Sequence, residues 1–157
     1  MDYIHKYKSN DFIYNPTVEE IMRNIEELKK PPESINRVIS NYESLKYLKE
    51  IKSSNDFDFK KKGINIDDVI KTSKKQVAIF MSKINKNNLI DYASTILEPG
   101  YQQVFLDLLA DYKCLERINW FVFKDLFSLD YFFFFMVFRN KEIVNFYDKE
   151  ILLKIPV

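Results

Sequence analysis

The stretch that decides the fold class of this chain is Tyr131–Phe138, Tyr-Phe-Phe-Phe-Phe-Met-Val-Phe. Eight bulky apolar side chains stand in a row with no polar residue between them. Surfaces of this kind are removed from water either inside a core or against a partner. Two shorter, mainly apolar runs follow, Ile143–Tyr147 and Ile151–Ile155, each set off by a short polar segment. We therefore expect the C-terminal part of the chain to be core, interface or both.

The secondary structure of this C-terminal part has two interpretations. Aromatic and β-branched residues favour strands, and apolar runs of eight, five and five residues are typical of a small antiparallel meander. The helical alternative rests on Ile143, Val144, Tyr147 and Ile151, which would share one face of a helix. The sequence favours the strands and leaves an all-α chain as the alternative.

The residues before Asp130 carry apolar side chains at helical spacing, which predicts about six helices. A capping-box pattern begins at Thr17, and Asn65 has the position of an N-cap. The expected helices cover roughly residues 17–30, 32–52, 65–86, 88–98, 101–112 and 118–127. The predicted fold class is therefore mainly α, a compact bundle of about six helices with a small C-terminal antiparallel β element.

The length of 157 residues predicts a single domain covering residues 1–157. Residues 1–16 lack a clear period and are expected to form a flexible N-terminal segment. Residues 53–63 are polar and irregular and are expected to form an internal linker, with Phe57 and Phe59 folded back onto the body. Residues 131–155 form the aromatic-rich C-terminal element.

The composition excludes several classes of protein. Gly63 and Gly100 are the only glycines, so neither GxGxxG nor GxxxxGK[ST] can be written, and the common nucleotide-binding loops are absent. The single cysteine, Cys114, and the single histidine, His5, allow no intramolecular disulfide, no thiolate zinc site in one chain and no Ser-His-Asp triad. Cys114 is expected to pack as a small hydrophobe.

Membrane insertion and secretion are also disfavoured by the sequence. Residues 120–138 are long enough to span a bilayer, but Lys124, Asp125 and Asp130 interrupt them. Each such charge costs roughly 2.5–3.5 kcal/mol near the bilayer centre. The N-terminus lacks the apolar region of a secretory signal, and one cysteine suits a reducing compartment. We therefore expect an intracellular protein, cytoplasmic or nuclear, without a transmembrane segment.

Paired carboxylates are the remaining candidates for acid–base or metal chemistry. Asp107 and Asp111 are spaced i,i+4 and share a helix face. Two oxygen ligands are too few for an ordinary divalent cation site, so an exposed stripe is the preferred interpretation. The sequence therefore predicts no catalytic residues, no metal site and no cofactor, which describes a protein that is not an enzyme.

Two binding functions follow from the side chains that remain. The preferred prediction is an interaction module or assembly subunit that binds another protein chain, or a second copy of itself, through its aromatic C-terminal segment. The expected partner-binding residues are Trp120, Tyr131, Phe132, Phe133, Phe134, Phe135, Met136 and Phe138. The alternative is an accessory factor that binds nucleic acid or an anionic surface, because residues 60–86 hold eight Lys and two Asp. The anion-binding residues in that alternative are Lys60, Lys61, Lys62, Lys71, Lys74 and Lys75.

Overall fold

The computed structural model of the chain describes residues 18–54 and 58–148. Within these two ranges the chain is mainly helical and contains no strand. The predicted mainly α fold is confirmed, and the all-α alternative fits the described residues. The chain divides into two compact units, residues 1–80 and residues 81–157. The single domain of residues 1–157 stays a prediction.

The first unit holds the longest helices of the described chain. Its elements are α1 (Val18–Arg23), α2 (Ile25–Leu28), α3 (Ile35–Ser54), a short 3-10 helix (Lys60–Lys62) and α4 (Ile66–Met81), whose last residue falls in the second unit. A buried cluster joins these helices and consists of Ile25, Leu28, Leu48, Ile51, Phe59, Ile66 and Val69. The predicted packing of Phe59 onto the body is confirmed, while Phe57 lies outside the described residues.

Local capping explains where helices of the first unit begin and break. The Asn65 side chain accepts a hydrogen bond from the Asp68 amide at 3.1 Å, which confirms the predicted N-cap of α4. The predicted helix over residues 17–30 is instead two helices, α1 and α2, separated at Asn24. The Asn24 side chain donates to the carbonyl of Glu20 at 2.9 Å, and asparagine competes in this way with the helical backbone. Thr17, the start of the predicted capping box, lies outside the described residues.

The second unit consists of shorter helices. Its elements are α5 (Leu89–Ala93), α6 (Pro99–Asp111), a 3-10 helix (Cys114–Arg117), α7 (Trp120–Phe123), α8 (Leu126–Leu129), α9 (Tyr131–Arg139) and α10 (Lys141–Phe146). The helix expected to reach residue 86 stops at Met81, and the Arg117 guanidinium binds the carbonyls of Met81 and Ile84, each at 3.0 Å. The single helix expected over residues 118–127 is replaced by α7 and the beginning of α8.

The predicted β element is wrong over the described part of residues 131–155. Residues 131–139 form helix α9, and the run Ile143–Tyr147 lies mostly in helix α10. The third run, Ile151–Ile155, lies outside the described residues. The physical reason is local capping combined with packing. Asp130 caps the N-terminus of α9 and Asn140 caps that of α10. Each helix then buries one side, so the apolar residues need no strand pairing. Intrinsic strand preference is weak compared with such tertiary packing.

No helix among the described residues combines the length and the apolar character needed to cross a lipid bilayer.

Candidate interaction surface

Helix α9 presents most of its aromatic side chains to solvent. Only Phe133 and Val137, one helical turn apart, are fully buried, and Met136 is half-buried. We call the five exposed rings of α9 the aromatic face, and the percentage after each residue is its exposed fraction. They are Tyr131 (71%), Phe132 (50%), Phe134 (45%), Phe135 (42%) and Phe138 (41%). The C-terminal segment therefore keeps a large apolar surface in contact with water.

The rings of the aromatic face contact one another in an unbroken series. The ring centroids of Phe138 and Phe134 are 5.0 Å apart, and those of Phe134 and Phe135 are 5.7 Å apart. Phe135 lies 4.9 Å from Tyr131, whose ring in turn lies 6.4 Å from Phe132. Edge-to-face and tilted pairs at these separations are attractive in their own right. The face is therefore one continuous patch of packed rings.

The N-terminus of α9 is fixed by two hydrogen bonds to one carboxylate. Asp130 accepts from the Phe132 amide at 2.9 Å, which satisfies one of the free amides of the first turn. Its other oxygen accepts from Gln102 Nε2 in α6, also at 2.9 Å. Gln102 is 1% exposed and donates as well to the carbonyl of Ile96 at 3.0 Å. The beginning of the aromatic helix is thus tied to a buried side chain of α6.

The C-terminus of α9 is tied to the same helix by a second polar contact. Asn140 directly follows α9, and its side-chain oxygen accepts from the Ile143 amide at 3.0 Å to cap α10. Its Nδ2 donates to Asp107 of α6 at 2.9 Å. Both ends of α9 are therefore anchored on α6, and the helix packs against α6, α8 and α10. These contacts fix the position of α9 against α6 at both ends of the helix.

Asp107 therefore has a structural contact that the sequence did not predict. The i,i+4 spacing makes Asp107 and Asp111 a candidate pair for metal or acid–base chemistry. In the structure Asp107 is half-buried and accepts a hydrogen bond from Asn140, whereas Asp111 is exposed. Among the described residues no three His, Cys, Asp or Glu side chains gather into a possible metal site.

Trp120 lies beneath the aromatic face rather than on it. It is 6% exposed, and its ring lies 5.9 Å from that of Phe127 and 5.4 Å from that of Tyr147. Phe127 continues the series outward, 5.4 Å from Phe134. The indole N–H has no hydrogen-bond acceptor among the described residues. Of the eight predicted partner-binding residues, Trp120 and Phe133 are therefore buried and Met136 is half-buried. The other five are the rings of the aromatic face.

Cys114 is fully buried, as expected of a small hydrophobe. Its Sγ donates to the carbonyl of Met81 at 3.4 Å. Burial raises the pKa of the Cys114 thiol, and the nearby Arg117 opposes this shift only in part. A thiol held in its protonated form is a poor nucleophile. The other residue considered for nucleophilic catalysis, His5, lies outside the described residues.

The predicted anion-binding lysines all belong to the first unit and are all exposed. Lys60, Lys61 and Lys62 form the short 3-10 helix, while Lys71, Lys74 and Lys75 lie on α4. Residues 71, 74 and 75 share one face because side chains three and four positions apart are neighbours on a helix. Whether these lysines bind nucleic acid or an anionic surface stays a prediction.

Sequence reasoning missed several residues that shape the surface. Gln102, Asp130 and Asn140 position α9, and Phe127 links the aromatic face to the core. A signal for two of them was present, because an Asp and an Asn at the two ends of an apolar run are typical N-caps. No sequence signal identifies Gln102, since its partner is 28 positions away.

Comparison with models of known protein families finds none that matches this chain. Comparisons with curated proteins and with solved structures also find no match.

Proposed function

We propose that this chain is a non-enzymatic interaction module that binds another protein chain through the aromatic face of α9. The observation that carries the proposal is the exposure of five contiguous rings on one capped helix. Aromatic residues are enriched in protein interfaces, where they provide large contact areas with little loss of conformational entropy. The intracellular location predicted from the sequence belongs to the same proposal.

The size of the aromatic face suits a binding surface. The exposed fractions add up to about two and a half complete aromatic side chains, which is on the order of 500 Å² at ~200 Å² each. That value lies near the upper end of the largest apolar patch on an ordinary monomer. At ~25 cal/mol per Å², covering it would contribute about 12 kcal/mol before the cost of association.

The cost of association limits what this surface can do alone. Loss of translational and rotational freedom is about 4–15 kcal/mol, which is comparable with the gain from burying the face. The aromatic face is therefore suited to reversible binding, with further affinity supplied by polar contacts around it. Arg139, exposed at the C-terminal end of α9, is one residue placed to make such contacts.

The anchoring of α9 on α6 supports the same function. A surface that is ordered before binding loses less conformational entropy when the partner arrives. The hydrogen bonds of Asp130 with Gln102 and of Asn140 with Asp107 supply this order. None of these four residues belongs to the aromatic face, so its rings stay available to a partner.

The test compares the natural chain with a face variant and a matched control. The face variant carries Phe135→Gln and Phe138→Gln, and the control carries Phe121→Gln and Phe146→Gln, two rings that are 67% and 49% exposed outside α9. We expect the natural chain and the control to bind an apolar fluorescent dye and the face variant to bind much less. Affinity capture from the native source should recover the same partner with the natural chain and the control only.

Light scattering on the purified chain distinguishes binding to a different protein from self-association. A dimer that the face variant converts to monomer would identify the partner as a second copy. Equal dye binding by all three proteins, together with a partner that the face variant still captures, would refute the proposal.

A further inference from the structure

Three rings of the aromatic face lie along the middle of the exposed side of α9. Tyr131, Phe135 and Phe138 are spaced i, i+4 and i+7, so they share one stripe of the helix. Phe135 lies on the side of α9 opposite the buried pair Phe133 and Val137. An exposed apolar stripe with this spacing is the pattern along which one helix packs against another. The geometry of the face therefore suits a helix as the partner.

The two ends of the stripe carry complementary groups. Arg139 is exposed in the last turn of α9, and its guanidinium has neither an ion pair nor a hydrogen bond within the part of the chain that the structure describes. At the other end, Tyr131 is the most exposed ring of the aromatic face, at 71%. A guanidinium placed over an aromatic ring is attracted by it. One end of α9 thus offers a cation, and the other end offers a ring that attracts cations.

These two groups do not meet within one chain. Tyr131 and Arg139 are eight residues apart, which is a rise of about 12 Å along a helix. A second α9 packed antiparallel to the first brings opposite ends together. Position 139 of each helix then faces position 131 of the other, and position 135 faces itself.

We propose that the partner of the aromatic face is a second copy of this chain, whose α9 packs antiparallel to the first across a twofold axis at Phe135. The inference rests on the proposed function, because it names the partner of the same surface. The Arg139 guanidinium of each copy lies over the Tyr131 ring of the other. A twofold interface is self-complementary in this way, since residue i contacts residue j and j contacts i.

The charge of Arg139 favours the antiparallel direction over the parallel one. A parallel pair of α9 helices would bring two guanidinium groups side by side, and like charges at short range repel each other. It would also align the two helix dipoles, with like ends together. The antiparallel pair keeps the two guanidinium groups at opposite ends of the interface.

The area of the aromatic face suits a reversible dimer. About 500 Å² on each copy gives about 1,000 Å² for the pair, which is near the lower limit for a specific interface between proteins. Interfaces of this size form weak or transient complexes. We therefore expect a dissociation constant in the micromolar range and an exchange between monomer and dimer that depends on concentration.

The first test is sedimentation velocity of the full chain over a wide range of concentration. We expect a monomer at low concentration and a dimer at high concentration. The growth should stop at the dimer, because a twofold interface uses the same patch on both copies and closes on itself. A monomer at every concentration would overturn the proposal, and so would oligomers that grow without limit.

Variants test the pairing of position 131 with position 139. Tyr131→Lys alone should raise the dissociation constant about tenfold, because two guanidinium–ring contacts become two contacts between like charges. Arg139→Glu alone should weaken the dimer to a similar degree, because it removes both cations. The double variant Tyr131→Lys with Arg139→Glu places opposite charges together at both pairs, so its constant should return to within about threefold of the natural value. A double variant as weak as the single variants would overturn the proposal.

The matched control is Lys83→Glu, which changes the net charge by the same amount as Arg139→Glu at an exposed residue outside α9. It should leave the dissociation constant unchanged. Tyr131 and Arg139 are exposed, so all variants should keep the helical content of the natural chain in far-ultraviolet circular dichroism. Equal weakening by Lys83→Glu and Arg139→Glu would show an effect of net charge and would contradict the pairing.

The failure of this inference is distinguishable from failure of the proposed function. A chain that stays monomeric but captures a different protein, which the variant Phe135→Gln with Phe138→Gln no longer captures, overturns the dimer and leaves the proposed function in place. A dimer that persists in this face variant overturns the inference, because its interface lies elsewhere. A dimer that the face variant dissociates, and that the double variant at positions 131 and 139 re-forms, supports both.

Discussion

At the scale of single residues, Asp130 and Asn140 determine how α9 is presented. Each caps a helix with one side-chain oxygen and contacts α6 with its other polar atom. An alanine at either position would lose both the capping hydrogen bond and the contact with α6, whereas most N-cap residues make only the capping hydrogen bond. Their effect on the surface is indirect, because neither residue belongs to the aromatic face.

We expect Asp130→Ala to lower the free energy of unfolding by about 1–3 kcal/mol. The loss combines an N-cap with the partner of a buried amide donor on Gln102. Asp125 is the matched control, because it precedes α8 in the same way but makes no capping hydrogen bond with its side chain. Asp125→Ala should change stability by roughly 0.5 kcal/mol or less in chemical denaturation. Equal losses in the two variants would contradict the role given to Asp130.

At the scale of elements, the register of α9 decides which rings are buried. A strand would place Phe133 and Phe135 on one face, because side chains alternate every second residue. The helix instead places Phe133 with Val137, four positions apart, and both are fully buried. Phe135 lies on the exposed side. The two interpretations therefore predict different costs for neighbouring rings.

We expect Phe133→Ala to cost about 3–5 kcal/mol of stability, because it removes a large ring from a closely packed interior. Phe135→Ala should cost about 1 kcal/mol or less, since its ring is 42% exposed. Urea unfolding of both variants provides the measurement. Similar large losses at residues 133 and 135 would indicate a shared buried face and would be incompatible with the helical register.

At the scale of the whole molecule, the C-terminal helices complete the interior of the second unit. Ile143 and Tyr147 are buried, and the Tyr147 hydroxyl donates to the carbonyl of Ile118 at 2.7 Å. The Tyr147 ring also lies 4.9 Å from Phe123 and close to Trp120. The aromatic tail therefore has two roles, because it fills the interior of its own unit and carries the exposed face.

A chain that ends at Asp130 should lose the packed environment of Trp120. We expect its tryptophan fluorescence to shift to longer wavelength and its near-ultraviolet circular dichroism to weaken, because the Tyr147 ring and the buried residues of α9 and α10 are gone. Trp120 is the only tryptophan, so the signal has one source. The full chain carrying Phe135→Gln serves as the control and should keep the natural spectrum. An unchanged spectrum in the shortened chain would show that the tail is an appendage.

Much of the helical organisation could be predicted from local signals. Apolar spacing located α3, α4 and α6, and the N-cap Asn65 and the burial of Phe59 were anticipated correctly. The break at Asn24 and the end of α4 were not predicted, and the end of α4 is the one that involves a residue far away in the chain. Arg117, for example, binds carbonyls at the end of α4 from 36 and 33 positions away.

The sequence by itself determined that the chain is mainly helical and that residues 131–138 form an unbroken apolar run, because periodicity and composition are local properties. Only the tertiary structure decided that this run is a helix and which of its rings are exposed. These outcomes depend on pairs of residues far apart in the chain, such as Gln102 with Asp130 and Asn140 with Asp107. Side chains of this kind come together only when helices pack, and a linear pattern does not specify that packing.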